Sequence, residues 1–352
     1  MSAPSSAAPA RPLDGYFFED YRPGQRYLHA TPRTLTLGDS ALYIALTGAR
    51  QPLYCADSFA QELGYPQSPV DDLLLFHIAF GKTVPDISYN AVANLGYADC
   101  RFLQPVYAGD TIRAETEILG MRENSSGKTG VIYVRSIAYN QRAEKVLAWA
   151  RWVMINKRAA GAASLGSAAT PEFPAAVSKE QIVWPAFLKP SSTLMRDTGS
   201  RRLWADYQTG EFIHHPAGMT IDSSDHTLAT KLYQNTARVH FDHLHMRDSR
   251  FQQRLIYGGH IISLCRALSY DGLENALSVL AINGGTHTAP TFAGDTVYAR
   301  SKIIDKWTLN ENFGALRIQL DGFKNRVPGN SLPASSEHAV LSLDYTLLMP
   351  RH

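Results

Sequence analysis

The chain has 352 residues, 34 Lys and Arg against 32 Asp and Glu, a formal net charge of +2, and 45% hydrophobic residues. That hydrophobic share excludes a disordered chain, and the even charge balance excludes a nucleic-acid binder working through a clustered basic excess. No apolar run approaches the roughly 18–20 residues that span a bilayer, so no membrane partner is expected.

The length predicts about two core-forming units. Residues 1–12 are Met, Ser, Ala, Pro and one Arg without the apolar stretch of a secretion signal, and are expected to be a disordered tail. Cys55, Cys100 and Cys265 are scattered and form no C-x-x-C, so neither a disulfide framework nor a cysteine zinc site is expected, and a reducing cytoplasm is the simplest home. A first unit over 13–157 opens with a short leading segment and a small helix at Ala56–Leu63. LLLFHIAFGKTV (73–84) then predicts a helix that is apolar nearly all round. Strands follow. Val131–Val134 is one, and Leu147–Met154 is another, with Trp149, Arg151 and Val153 on one face. The stretch 158–199 begins RAAGAASLGSAATPEFPAAVSKE, a composition that predicts a solvated linker without a core. The second unit, 200–352, repeats the order. Its apolar helix starts at Gly258-Gly259 and carries Ile261, Leu264, Cys265 and Leu268 at helical spacing. Asp321–Ser336 is expected to be a long hairpin loop.

The two units are an internal duplication. Asp20-Tyr21 and Gly24 recur as Asp206-Tyr207 and Gly210, 186 positions later, and Asp39 recurs as Asp225. FLQPVYAGDTIRAETEI (102–118) recurs as HTAPTFAGDTVYARSKI (287–303) at an offset of 185. A helix with no polar face must be covered on most sides. An antiparallel sheet curled around each apolar helix meets that need, and the Gly-Asp-Thr turn fits between its strands. The predicted fold class is therefore α+β, a double hotdog.

The loop before the second apolar helix reads LYQNTARVHFDHLHMRDSRFQQRLIYGGHIISL (232–264). It resembles the MaoC-type hydratase motif D-x-N-P-x-H-x-D and the segment leading into the central helix. In register, His240 takes the catalytic histidine's position, Asp242 that of the second acid, and Gly258 that of the glycine at the helix start. Asn235 stands where the motif has Asp, and Ala237 and Arg238 replace Asn-Pro. In the first unit Ala49 and Tyr54 occupy the Asp and His positions. That half is expected to be catalytically empty and to accommodate the acyl thioester, as degenerate halves of double-hotdog hydratases do.

Longer blocks extend the likeness over roughly residues 14–350. HATPRT (29–34), PVDDLL (69–74), FGKTVPDISYNAVANLGYADCRFL (80–103), NSSGKTGVIYVRS (124–136) and YGGHIISL (257–264) resemble mesaconyl-CoA hydratases, also called 2-methylfumaryl-CoA hydratases or β-methylmalyl-CoA dehydratases. The resemblance implies a hydro-lyase that reversibly hydrates mesaconyl-CoA to β-methylmalyl-CoA within C5 dicarboxylic CoA-ester metabolism such as the ethylmalonyl-CoA pathway. It implies a CoA-thioester substrate, no cofactor, no metal, and assembly as a homo-oligomer.

Enoyl-thioester hydration needs a held and deprotonated water, a polarised thioester carbonyl, and a proton for the α-carbon. His240 has the residue type suited to proton transfer near neutrality. Asn235 can hold water but cannot act as a base, which leaves proton work to His240 with Asp242 or a group from the other half as helper. The N–H groups of Gly258 and Gly259, unpaired in a first helical turn, suit the thioester oxygen. The second carboxylate of mesaconyl-CoA calls for a cation: Arg238 first, with His243 and His260 behind it.

Plainer roles stand beside these. Asn235 can form an Asx turn, Arg238 can be a solvated loop arginine, and His260 can be a satisfied core histidine. The glycines can serve close packing, Cys265 is a packing residue, and Asp71 and Asp72 suit a helix N-terminus. His240, His243, His245 and Asp242 lack the helical spacing of a zinc motif. The competing functions are a hotdog acyl-CoA thioesterase, a 3-hydroxyacyl-thioester dehydratase of other specificity, and a non-catalytic acyl-CoA-binding hotdog.

Overall fold

A computed structural model describes residues 11–162, 170–329, 333 and 335–351. The expected tail, apart from Arg11 and Pro12, lies outside them. Strands β1 (Arg26–Leu28), β2 (Arg33–Thr34), β3 (Ala91–Phe102), β4 (Thr111–Glu123), β5 (Thr129–Tyr139) and β6 (Lys145–Asn156) belong to the first half of the chain. Strands β7 (Phe212–Thr220), β8 (Val279–Thr286), β9 (Thr296–Thr308), β10 (Phe313–Lys324) and β11 (Ala339–Pro350) belong to the second. The helices are α1 (Leu37–Thr47), α2 (Pro52–Cys55), α3 (Asp57–Glu62), α4 (Asp72–Ile87), α5 (Leu194–Thr198), α6 (Ser223–Leu232), α7 (Arg238–Phe241), α8 (His243–Arg247) and α9 (Gly258–Leu268). Among the described residues no helix is long and apolar enough to cross a membrane.

All strands form one antiparallel sheet in the order β1-β4-β5-β6-β3-β8-β11-β10-β9-β7, with β2 also on β4. The order is palindromic about the β3–β8 seam, as a duplicated unit related by a two-fold axis requires. At the seam Tyr97 faces Gly285 and Cys100 faces Ile282. Each half wraps its sheet over one central helix, the double hotdog predicted from the pattern.

Helix α4 starts where the Asp71 carboxylate accepts the Leu73 N–H at 2.8 Å. Leu73 through Val84 are all buried, so the helix is apolar on every face because every face is covered. Helix α9 is likewise buried from Gly259 to Leu268. One core joins them: Leu74, Phe76 and Phe80 of α4 share it with Ile261, Leu264 and Cys265 of α9.

Two local expectations change. Asp321–Lys324 is strand, not loop: β10 runs on to Lys324 paired with β9, and buried Asp321 meets Arg300 at 3.1 Å. The ion pair and the ladder offset the polar composition that suggested a loop. The segment after the described break is not a solvated spacer either. Val177, Ile182, Leu188 and Leu194 are buried with Leu53, Phe59, Leu280 and Phe313. Isolated apolar residues in an Ala/Gly/Pro-rich stretch lack periodicity, yet they still fill hollows on a surface that other elements build.

Candidate active site

The loop that carries His240 is shaped before His240 is reached. After α6 the chain reverses through Gln234, whose φ is 52°, and the Asn235 N–H returns to the Thr230 carbonyl at 3.0 Å. The Asn235 side-chain oxygen then accepts the Ala237 N–H at 3.1 Å, an Asx turn that starts α7. The return strand is fastened by Leu255 N–H to Val239 O and Ile256 N–H to Thr291 O, both 2.9 Å. Gly81 of α4 seats the loop: a Cβ there would stand 1.9 Å from the Tyr233 carbonyl oxygen.

His240 Nδ1 lies 2.8 Å from the Leu255 carbonyl. A carbonyl can only accept, so Nδ1 carries the proton and Nε2 keeps its lone pair. The ring stands 5.6 Å from that of Tyr257, the residue preceding α9, and 6.3 Å from that of His226. His226 Nε2 in turn accepts the Tyr257 N–H at 3.1 Å. On the other flank His287 closes over Gly258, where a Cβ would stand 2.4 Å from its Nε2. His287 Nε2 is also 3.3 Å from the Tyr97 hydroxyl. The N-terminus of α9 is thus bracketed by two partly exposed imidazoles, His240 and His287.

The wall behind is buried and aromatic. His77 Nε2 lies 2.8 Å from Ser263 Oγ, which also accepts the Tyr43 hydroxyl at 2.8 Å. His260 Nδ1 is 3.4 Å from the Tyr233 hydroxyl. A Cβ on Gly259 would come within 2.5 Å of the Tyr257 ring and 2.6 Å of His77 Nδ1, so both glycines permit close approach. The Tyr257 hydroxyl and His77 Nδ1 are buried without a hydrogen-bond partner among the described residues.

Burial sets the protonation of this cluster. Desolvation lowers the pKa of His240, His260 and His287 to about 4 and that of His226 to about 2, and pushes His77 well below its ordinary value. No carboxylate hydrogen-bonds any of these five rings among the described residues to oppose the effect. All are therefore neutral near pH 7, and His240 Nε2 is free to accept a proton.

The structure brings together His240, His260, Gly258 and Gly259. It does not bring in Asp242 or His243. Both are exposed, and Asp242 folds back to accept the His245 N–H at 3.0 Å as the N-cap of α8. Asn235 is buried, and its side-chain oxygen accepts the Ala237 N–H of the Asx turn that shapes the loop. Arg238 is half-buried: its guanidinium stacks 4.9 Å over Tyr89 and donates to the Tyr89 hydroxyl at 3.3 Å. It lines an open cavity of about 430 Å³ with Arg11, Thr236 and Phe241.

His77, His226, His287, Tyr97 and Tyr257 were not singled out from the sequence. Only His287 carried a usable sign: in the duplication it aligns with Phe102 at the offset of 185. The corresponding place in the first half carries other residues. Tyr54 stands for His240, Asp72 for Gly258 and Phe102 for His287, around a cavity of about 240 Å³ lined by no imidazole among the described residues. There the Tyr54 hydroxyl and the Val279 N–H donate to Asp72 at 2.5 and 2.8 Å, and burial raises the Asp72 pKa to about 7.

The family model for mesaconyl-CoA hydratase matches residues 9–326. The chain is 49% identical over 354 residues to a β-methylmalyl-CoA dehydratase of Chloroflexus aurantiacus, covering 97% of this chain and 99% of the relative. It is 47% identical over 346 residues to a mesaconyl-CoA hydratase of Cereibacter sphaeroides, covering 96% and 98%. A crystal structure of a MaoC domain protein dehydratase from Chloroflexus aurantiacus superposes with a TM-score of 0.93 at 48% identity, covering 98% of this chain and 100% of that one. A Mycobacterium tuberculosis protein described as a double hotdog fold superposes with a TM-score of 0.78 at 23% identity, covering 96% and 99%, and supports the fold alone. This chain belongs to the mesaconyl-CoA hydratase family.

Proposed function

We propose that the protein is a hydro-lyase that reversibly adds water to mesaconyl-CoA to give β-methylmalyl-CoA. The observation that carries the mechanism is the fixed tautomer of His240, whose ring packs 5.6 Å from that of Tyr257, the residue preceding α9. The thioester oxygen docks on the free N–H groups of Gly258 and Gly259, where the helix dipole favours the negative charge gathering in the enolate. A water between His240 and the β-carbon gives a proton to Nε2 as its oxygen attacks. The resulting imidazolium is held by the Leu255 carbonyl. The imidazolium then gives that proton to the α-carbon, completing the addition; where the His287–Tyr97 pair, which shares a hydrogen bond at the same helix end, donates instead, His240 releases its proton to solvent and the pair recovers one from it. Asn235 acts through the loop. Arg238 and Arg11, around the open cavity beside Tyr89, suit the phosphates of CoA rather than the acyl end. A homo-oligomer and a cytoplasmic setting belong to the same reading.

The test offers mesaconyl-C1-CoA and mesaconyl-C4-CoA to the wild type and to His240→Ala, following enoyl absorbance and free thiol separately. Loss of enoyl absorbance without thiol release is expected for the wild type, with a fall of about 10²–10⁴-fold in His240→Ala. Thiol release by the wild type would identify a thioesterase instead. Binding without turnover would identify an acyl-CoA-binding protein.

A further inference from the structure

Arg151 of β6 is completely buried. Its Nη2 donates to Thr83 Oγ1 at 2.9 Å and its Nη1 and Nη2 lie 3.4 and 3.3 Å from Ser88 Oγ. Its guanidinium stacks 4.1 Å over the Phe80 ring. The stack covers one face and leaves the Nε edge, and Nε has no partner among the described residues. No carboxylate pairs with it there. Another buried arginine is treated differently: Arg300 meets Asp321 at 3.1 Å. A guanidinium stays charged inside a protein, and a buried charge without a counter-ion is strongly unfavourable. Arg300 has a carboxylate beside it, and Arg151 has only hydroxyls and a ring.

Its position says for what. Arg151 and Tyr97 are direct cross-strand partners of β6 and β3, so their side chains stand together on one face. The Tyr97 hydroxyl reaches His287. The Phe80 ring under the guanidinium is 5.8 Å from the ring of Tyr257, whose hydroxyl is buried and unpartnered. From the α9 N-terminus inward, the order is His240 and His287, then Tyr257 and Tyr97, then Phe80 and Arg151. The imidazoles along this line are neutral, so Arg151 supplies the formal positive charge at its inner end.

We propose that Arg151, with the Tyr257 hydroxyl, receives the free carboxylate of the acyl group and makes the site select dicarboxylic over monocarboxylic enoyl thioesters. The inference rests on the hydratase reading above and assigns the residue that reads its substrate. It replaces Arg238 in that role.

The test compares mesaconyl-C1-CoA with tiglyl-CoA, in which a methyl group stands in place of the carboxylate. The proteins are the wild type, Arg151→Lys and Arg151→Met. Arg151→Met is expected to lose at least 100-fold in kcat/KM on mesaconyl-C1-CoA and to keep or improve its rate on tiglyl-CoA. Arg151→Lys is expected to recover part of the loss. The Tm of Arg151→Met should equal or exceed that of the wild type, because an unpaired interior charge has been removed. Equal losses on both substrates, or a variant that unfolds, would overturn the role of Arg151 while leaving the hydratase reading intact. A wild type inactive on mesaconyl-CoA would overturn that reading itself.

Discussion

His240 differs from a solvated imidazole in two linked ways. Its Nδ1 proton is committed to Leu255, and its surroundings lower its pKa to about 4, with burial the leading cause. The free enzyme should therefore hold the ring neutral far into the acid range. The acid limb of kcat/KM is expected near pH 4–5, with a plateau from about pH 6 to 8, and a limb at pH 6.5 would show a solvated ring. His287→Ala removes the partner of Tyr97 and one wall over Gly258, and should lower kcat by 10-fold or more with little change in Tm. The motif match picked out His240 because the residue type and its spacing travel together. It could not show that Asp242 turns back onto α8, because a helix N-cap and a catalytic carboxylate look alike in one dimension. Nor could it find Arg151, which alternation placed on one face of its strand with Trp149 and Val153; the missing counter-ion is visible only in three dimensions.

At the scale of elements, two glycines let a helix and a loop meet. Gly258→Ala would press a Cβ against His287 Nε2, the far end of a side chain that can swing away. It should fold with near-normal Tm and lose activity, on the order of 10-fold or more, as His287 moves off the helix start. Gly81→Ala would press against the backbone carbonyl of Tyr233, which cannot swing away. It should lower stability by about 1–3 kcal/mol, as overpacking does, and displace the Asx turn at Asn235. Thermal melts and His240-dependent rates measured on the same preparations separate the two outcomes. The apolar helices and their starts were legible from hydrophobic spacing and the Gly-Gly pair. The end of β10 was not, since Asp321 reads as a turn former until Arg300, 21 positions away, is seen to meet it.

Over the whole molecule, His77, His215, His226, His240, His260 and His287 are all neutralised by burial. Their folded pKa values lie below the unfolded value near 6.5, so the unfolded chain binds protons first as pH falls. The stability they contribute is complete above pH 6.5 and is lost as pH drops toward 4. Asp71 and Asp72, raised to about 6 and about 7, act oppositely over the same window, but as two groups against six. Tm should fall steeply between pH 6.5 and 4, and His260→Gln should make that slope shallower. The architecture itself was readable from the duplication, because a repeat at offsets of 185 and 186, with matched Gly-Asp-Thr turns, leaves few ways to bury two largely apolar helices. The β3–β8 seam has a consequence of its own. Tyr97 and Arg151 come from one side of it and His240, Tyr257 and His287 from the other, so neither half holds a complete reaction centre. Expressed as separate polypeptides, each half would present a bare, hydrogen-bond-hungry ribbon. The two should be inert and prone to clump alone, yet regain turnover when co-produced, a split-enzyme complementation built into the repeat.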